Sequence, residues 1–539
     1  MAATTPQSGS ARKTYPMLGI AGVLLGALIA TFLGRLLSVG IADLRGALHF
    51  NYDDATWVTT SYNMGLMFIG PFSVFLGGLL GPKRVLLFSA VTFTLICIFL
   101  PLAAHFSLLV ALLAMAGLTA GTFYPLTMSF ILRSLPKQYI LYGIAAYAVD
   151  AVFTTHVAHS YEAWTMIHLS WRWLLWTSVV LTIPMMLLIH FGMASQPLPQ
   201  RKPGQSQPSW TSFLFGSAGA ALLYGALDQG EHLDWWRSGT FVAMVVAAGF
   251  LLVACVLSHF LRPNPLVTLP FLRRRSTMLL GVSLFFFRFL LLSATIVVPN
   301  YLATVQGYTA EQIGPVLLWL AVPQILAGLL AVYLLERVDA RIILAIGVAL
   351  CGIGALLNAN LTSDWSGSNF RTTLLILAAG EGLMLNGVIG SIILDVVNSA
   401  SLDKGPELLT FAGFFQTVRL MGGEMGTSFM LFFLPRREEF HSNMLGLQVQ
   451  AGSVATTERF HALAMGMQAQ STNPDTAFAR AADLLALTVR KQAFTLAIAD
   501  CFLLIAVACV VCLVVVAFIG PLNIQYKHVL AQIRAQRTT

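Results

Sequence analysis

Long apolar stretches, most of them about 18 to 25 residues, alternate with polar breaks along the whole chain. A helix of about 20 apolar residues crosses the roughly 30 Å hydrocarbon core of a bilayer. Stretches this long exclude barrel strands, the other backbone arrangement that a bilayer tolerates. The pattern therefore predicts an all-α membrane protein. It places fourteen transmembrane helices near residues 17–40, 57–80, 84–104, 107–132, 139–160, 172–193, 211–228, 239–261, 277–302, 312–335, 341–360, 371–395, 406–433 and 492–519.

Composition and charge support this prediction. The chain is 57% hydrophobic and 10% charged, whereas soluble domains are about 25% charged. The net charge of +8 comes mainly from lysines and arginines in alternate loops, which predicts two cytoplasmic termini and no nucleic-acid partner. The polar start with Arg12 and Lys13 precedes a span of full length, which is typical of a start anchor rather than a signal peptide.

Two polar segments interrupt the series of predicted spans. Residues 194–210 are rich in proline and indicate a cytoplasmic linker. Residues 434–490 are predicted to be a long periplasmic loop, with a helical run from Ala477 to Lys491. A loop of this length is usually functional or disordered. A partly helical lid and a docking segment are both compatible with its sequence.

Several motifs in chain order resemble one known family. The motif Tyr224–Trp236 begins in the last residues of the seventh span and continues through the hairpin after it. Trp57–Tyr62, Ser170–Leu174 and Phe414–Gly426 lie at the second, sixth and thirteenth spans. They resemble the 14-span drug:proton antiporter branch of the major facilitator superfamily, the multidrug efflux type. The resemblance implies the major facilitator fold, with two six-helix bundles, two extra helices and a substrate cavity between the bundles. The implied domains are 1–193, 194–276 and 277–539.

The chain departs from that family in its first half. Gly78 stands where the family has an aspartate after span two, and Leu113 stands near its arginine in span four. Residues 158–163 lack the Gly-Pro antiporter motif of span five, and the acid of span one is replaced near Arg35. The usual proton-coupling residues of the first half are therefore not evident.

Charged side chains inside the predicted spans are candidates for function, since each costs at least about 2.5–3.5 kcal/mol to insert at the bilayer centre. Four are candidates for substrate binding or proton coupling: Arg35, Asp150, Arg288 and Glu381. Three others lie in family-like segments and are predicted to serve helix packing or gating: Arg419, Glu424 and Asp500.

Arg288 and Glu381 both lie about 15 Å deep in their spans at 1.5 Å per residue, so they are predicted to meet near the midplane. An arginine beside a buried carboxylate suits proton coupling, because a bound substrate would compete for the guanidinium. A permanent ion pair that locks two helices, or two positions without a role, would give the same sequence.

His156 and His159 repeat with Glu162 at intervals of three on one helical face of span five. Histidines that titrate near neutral pH are candidates for a proton relay, and ordinary polar packing is the alternative. One helix rarely supplies three metal ligands, so no metal site and no cofactor are predicted.

The resemblance to this family implies export of small amphipathic compounds across a bacterial inner membrane by proton-coupled antiport. Two cavity arginines against one glutamate favour anionic or zwitterionic substrates. The resemblance also implies that the long loop and the hairpin at 228–238 could dock a periplasmic adaptor and, through it, an outer-membrane channel. Asp228, Glu231 and Asp234 are otherwise predicted to form an exposed acidic turn.

Three alternatives stay open. The missing motifs are compatible with an uncoupled facilitator or a narrow-substrate exporter that does not need protons. A sensor or assembly subunit would bind a ligand and transport nothing. An enzyme is disfavoured, because the sequence has no phosphate-binding glycine loop and no plausible nucleophile–base pair.

Overall fold

The structure, a computed structural model, describes most of the chain and is almost entirely helical. The described residues are 15–103, 105–136, 139–194, 210–261, 269–398, 405–450, 452–468, 474–521, 526 and 528. No β-strand occurs among them.

Eight α-helices occur among the described residues of the N-terminal half. They are α1 (Pro16–Val39), α2 (Ile41–Leu48), α3 (Tyr52–Leu80), α4 (Pro82–Phe99), α5 (Phe106–Ala120), α6 (Phe123–Ser134), α7 (Ile140–His168) and α8 (Arg172–Gly192). Helices α5 and α6 together form one crossing that is interrupted at Gly121 and Thr122. The short helix α2 follows α1 directly and packs on α3.

Two inserted helices and the C-terminal half follow. They are α9 (Thr211–Gln229), α10 (Gly239–Leu261), α11 (Leu269–Leu272), α12 (Arg275–Thr304), α13 (Ala310–Leu335), α14 (Ala340–Asn358), α15 (Arg371–Asn398), α16 (Gly405–Gly446), α17 (Val454–Gln468) and α18 (Pro474–Ala517).

Within the described residues, twelve helical segments are long and apolar enough to cross a membrane. The two remaining predicted spans, 211–228 and 406–433, also form helices, α9 and α16. They are less apolar because they carry polar side chains, among them Asp228, Arg419 and Glu424. All fourteen predicted spans therefore lie in helices, and the two weakest are those whose polar groups face the interior.

The helices pack as two six-helix bundles with α9 and α10 added beside them. In the first bundle α1 packs on α7 and α8, and α3 on α5; in the second α12 packs on α16 and α14 on α15. The bundles meet along two seams, α7 with α13 and α3 with α16. Helix α9 packs on both α3 and α16, so the inserted pair closes the second seam. Helix α10 packs on α9 and is the least buried crossing, as expected of a helix facing lipid.

Glycines allow the closest helix contacts within each bundle. A Cβ at Gly117 of α5 would meet the backbone carbonyl of Tyr62 in α3, and a Cβ at Gly192 of α8 would meet the backbone of Gly19 in α1. Gly347 of α14 lies in the same way against the backbone of α15. Small residues let backbones approach in a membrane, where dispersion and hydrogen bonding replace the hydrophobic effect between helices.

Helices also fill most of the segment 434–490. Helix α16 has 42 residues and α18 has 44, or about 63–66 Å at 1.5 Å per residue, so both extend well beyond a bilayer core. The predicted helical run Ala477–Lys491 lies within α18, and α17 packs against it. An ion pair of 3.3 Å between Arg436 and Glu231 joins α16 to the turn that follows α9.

Candidate functional site

A small polar cavity lies where the two bundles and α9 meet. Its volume is about 80 Å³, far below the roughly 300–1,000 Å³ of pockets that hold drug-sized ligands. The described conformation is therefore closed around the cavity. Its lining comes from seven helices and includes Arg35 and Ser38 of α1, Asn63 of α3, Tyr124 of α6, Thr155 of α7, Tyr224 and Asp228 of α9, Arg288 of α12, and Arg419, Glu424 and Thr427 of α16.

Three arginines from different helices converge on this cavity. Arg419 donates from Nε to Gln416 at 3.1 Å, and its guanidinium lies 3.7 Å from the ring centroid of Tyr124. Arg288 donates from Nε to the carbonyl oxygen of Arg419 at 3.3 Å. Within the described part of the chain, the terminal amino groups of Arg288 have no acceptor and Arg35 has no hydrogen bond or ion pair. Unsatisfied guanidinium donors of this kind favour an anionic ligand.

Acidic groups line the same cavity, and one of them comes from the inserted helix. Asp228 Oδ2 lies 2.5 Å from Thr60 Oγ1 of α3, and Gln229 Nε2 donates to the same hydroxyl at 2.5 Å. Glu424 accepts a hydrogen bond of 2.8 Å from Ser428. Asp228 and Tyr224 are close enough to the carboxyl group of Glu424 to interact with it.

The prediction that the hairpin acids form an exposed turn is therefore wrong for Asp228. Asp234 is exposed and pairs with Arg237 at 3.3 Å, as an acidic turn would require. Asp228, six residues earlier, is still in α9, which packs on α3 and turns this carboxylate inward. Sequence position alone could not separate the last turn of a helix from the loop after it.

The predicted meeting of Arg288 and Glu381 is also wrong. Glu381 of α15 accepts from Gln324 of α13 at 2.5 Å and lies 3.0 Å from Nε2 of His156 in α7. All three side chains are buried, with relative exposures of 3%, 1% and 0% for Glu381, Gln324 and His156. Depth along a helix could not say which way the Glu381 side chain points.

His156, Gln324 and Glu381, hereafter the buried triad, join the two bundles. His156 belongs to the first bundle, and the other two belong to the second. Two of its polar atoms, His156 Nδ1 and Gln324 Oε1, are buried without a hydrogen-bond partner among the described residues. The triad is thus a polar contact across the seam where α7 packs on α13 and α15.

The other two α7 candidates lie on either side of this contact. Asp150 is close enough to Arg419 for their charges to interact, and its Oδ2 is buried with no hydrogen-bond partner in the described part. His159 lies near both His156 and Arg35, and its Nδ1 is likewise buried without a described partner. No group of three or more potential metal ligands occurs within the residues that the structure describes.

Asp500 lies away from the cavity, in an ion pair between α16 and α18. Its Oδ2 is 2.6 Å from Arg437 and 2.7 Å from Nε2 of His441. Arg437 and His441 are one helical turn apart, so both reach the same carboxylate. The sequence pointed to Asp500 alone, because these partners lie beyond the end of the predicted thirteenth span.

Comparison with known proteins agrees with this architecture. A sequence profile described as Major Facilitator Superfamily matches residues 23–427. The chain belongs to the major facilitator superfamily. The family and the fold indicate a transporter rather than an enzyme.

The protein is similar to named multidrug exporters over most of its length. It is 22% identical over 529 residues to the multidrug export protein EmrB of Haemophilus influenzae, covering 95% of this chain and 98% of that one. It is 23% identical over 435 residues to the probable multidrug resistance protein EmrY of Escherichia coli K12, covering 78% and 82%. The protein therefore resembles the 14-span multidrug branch of the superfamily.

Solved structures support the fold. The proton:xylose symporter XylE of E. coli has a TM-score of 0.52 and 12% identity, covering 78% of this chain and 88% of XylE. The human organic anion transporter MFSD10 has a TM-score of 0.52 and 12% identity, covering 92% and 100%. At this identity the likeness is one of fold alone.

Proposed function

We propose that this protein exports small amphipathic compounds with an acidic group across the bacterial inner membrane by proton antiport. The observation that carries the proposal is the convergence of Arg35, Arg288 and Arg419 on one cavity at the junction of the bundles. Arg35 and the terminal groups of Arg288 have no acceptor among the described residues. A carboxylate or sulfonate would supply the missing acceptors as charge-assisted hydrogen bonds.

The amphipathic part of the substrate is proposed from the remainder of the lining. Leu66, Tyr124 and Leu420 face the same cavity as the arginines. Apolar and aromatic walls with a few fixed polar groups are usual in ligand sites. The names of the relatives, which refer to multidrug export and resistance, support a drug-like substrate.

Proton coupling is proposed at the buried triad. A buried pair of a neutral histidine and a carboxylate carries one negative charge, and one added proton makes the pair neutral. The neutral pair has the lower free energy, because an uncompensated charge in the interior is costly. Adding or removing a proton would weaken the contact between α7 and α15, which belong to different bundles. In a carrier whose bundles rock around a central site, such a contact would couple protonation to the movement. His159 and Asp150 are the proposed neighbours in a relay.

Transport without protons is the second candidate, and it has physical support. The charge of the cavity favours an anion, and an interior-negative potential drives each exported negative charge outward by about 2.3 kcal/mol per 100 mV. An uncoupled facilitator could therefore export an anion without the residues that the first half of the chain lacks. The two candidates differ in whether a pH gradient alone moves substrate.

We also propose a periplasmic docking surface on the helical extension of residues 434–490 and the turn at 228–238. This proposal assumes that both termini are cytoplasmic. The Arg436–Glu231 pair links the extension to the turn, and Arg490 pairs with Glu438 at 3.5 Å within the extension. Ion pairs that hold the described parts of the extension and the turn together would suit docking of an adaptor that leads to an outer-membrane channel. Co-purification of the full chain with and without residues 447–473 would test it.

Flux into proteoliposomes tests the main proposal. Purified protein is reconstituted, the membrane potential is clamped with potassium and valinomycin, and a pH gradient is imposed in either direction. Three amphiphiles of similar size are compared: one anionic, one neutral and one cationic. The proposal expects pH-driven flux of the anion, which Arg288→Gln abolishes by weakening binding and Glu381→Gln abolishes by uncoupling while binding persists.

Two other results would change the conclusion. Anion flux that follows the imposed potential and ignores both the pH gradient and Glu381→Gln would establish the uncoupled facilitator. Preference for the cation, unaffected by Arg288→Gln, would refute the anionic substrate. Arg237→Gln is the matched control, since Arg237 is an exposed hairpin arginine whose side chain is 84% accessible.

A further inference from the structure

The inserted helix α9 contributes directly to the proposed substrate cavity. Tyr224 and Asp228, one helical turn apart, are both among the residues that line it. Two hydrogen bonds fix the end of α9 on α3: Thr56 donates to Gln229 at 3.0 Å, and Gln229 donates to Thr60 at 2.5 Å. The position of the Asp228 carboxylate is therefore set by the scaffold rather than by a mobile turn.

The carboxyl groups of Asp228 and Glu424 lie side by side at one wall of the cavity. Thr60 and Ser428 occupy one acceptor site on each, and a carboxylate has about four. The side chain of Tyr224, also on α9, lines the cavity together with the two carboxyl groups. The remaining acceptor sites of the two carboxylates can accept hydrogen bonds from a ligand.

The charged groups that face this acidic pair come from the other helices of the site. The charge of Arg35 in α1 interacts with both carboxyl groups, and Arg419 of α16 and Arg288 of α12 line the same cavity. Arg288 is 6% exposed, and its terminal amino groups have no acceptor among the described residues. Terminal amino groups that lack an acceptor on a buried guanidinium favour a ligand in this cavity, because unpaired buried charge is costly.

We infer that Asp228 and Glu424 form a second subsite, which binds the ammonium group of a zwitterionic amphiphile whose acidic group lies on Arg35 and Arg288. This inference rests on the proposed function and names the substrate class more closely. A ligand with both charges would satisfy donors and acceptors of one cavity together. A ligand with the acidic group alone would leave the acidic pair facing the negative charge.

The subsite also supplies competition between substrate and proton. Two adjacent carboxyl groups repel each other when both are ionised, so they favour one shared proton. An ammonium group that enters replaces this proton as the counter-charge, and the proton leaves to solvent. Binding of substrate and binding of a proton then oppose each other, as antiport requires, and the coupling is reciprocal.

The test uses two forms of one fluorescent ligand. A fluoroquinolone that carries a carboxylate and a secondary amine is compared with its N-acetyl derivative, in which the amine is neutral. Binding to purified full-length protein is measured by fluorescence anisotropy, and proton release is measured with a pH dye in weakly buffered solution. We expect the wild type to prefer the zwitterion about tenfold or more, as a charge-assisted hydrogen bond provides, and to release more protons on binding that ligand than on binding its N-acetyl derivative.

Variants locate the effect at the subsite. Asp228→Asn is expected to remove both the preference and the proton release, whereas Asp228→Glu restores the preference because the charge is kept. The control Asp234→Asn removes an acid from the exposed turn and leaves both readouts unchanged. Size-exclusion profiles and thermal unfolding establish that each variant is folded.

Two outcomes would overturn the inference, and they are distinguishable. An unchanged preference and unchanged proton release in folded Asp228→Asn would remove the second subsite, while loss of N-acetyl ligand binding in Arg288→Gln would leave the anionic site of the proposed function standing. Failure of the wild type to bind either ligand, with no pH-driven anion flux, would overturn the proposed function as well.

Discussion

The contact between His156 and Glu381 should show strong energetic coupling, because both groups are buried and belong to different bundles. Replacing His156 with Asn leaves the Glu381 carboxylate with Gln324 as its described donor. Removing one partner of a buried pair costs about 3–5 kcal/mol. Glu381→Gln keeps the shape and the neutral hydrogen bonds, so it should cost less, about 1.5–3 kcal/mol. The double variant has no buried charge left to compensate.

The measurement is a double-mutant cycle on the free energy of unfolding. Wild type, both single variants and the double variant are unfolded by a denaturing detergent titration in mixed micelles. We expect the double variant to be more stable than the sum of the single costs predicts, by at least about 1.5 kcal/mol. The exposed pair Arg237–Asp234 is the matched control, and its coupling should lie below about 1 kcal/mol.

Additive costs for the two buried substitutions would refute the reasoning. They would mean that the two side chains do not interact across the seam, and the triad could not link protonation to the movement of the bundles. A strong coupling energy together with unaltered pH-driven flux in Glu381→Gln would separate the structural contact from proton coupling. In that case the contact would hold the bundles together without coupling protons.

Further predictions concern packing and the peripheral ion pair. Gly117→Ala should destabilise the protein by about 1–3 kcal/mol or prevent folding, because the added methyl group meets the backbone of α3. Gly249→Ala, which has open space around it, should leave the stability unchanged. Both variants are compared with wild type by thermal unfolding. Asp500→Asn should cost about 1–2 kcal/mol of unfolding free energy, since it leaves Arg437 and His441 facing each other at a partly exposed site. Its transport rate should stay near that of wild type; a loss of flux with unchanged stability would assign Asp500 to the mechanism.

The length and hydrophobicity of the apolar stretches were sufficient to predict fourteen helices and a membrane protein. That inference needs no tertiary information, because a bilayer requires each crossing segment to satisfy its own backbone polar groups. The weakest stretches, α9 and α16, show where the rule loses force. Their polar residues face the interior of the protein, and a hydropathy average cannot tell this from exposure to water.

The partners of the charged residues were decided by the tertiary structure alone. The sequence singled out Arg288 and Glu381 by their depth, but depth gives one coordinate of three. Helix rotation and packing turn Glu381 towards His156 and turn Arg288 towards Arg419. The same holds for Asp228, whose role depends on the packing of α9 against α3.

The chain's own pattern of apolar and charged residues thus determined which segments cross the membrane, and which charges a bilayer would make costly. Cost follows from the residue type and its position along one helix, so it can be read locally. Which charges share a cavity depends on the rotation and contacts of helices far apart in sequence, such as α1, α9, α12 and α16. That arrangement is fixed by side-chain packing across the two bundles, and the tertiary structure alone supplied it.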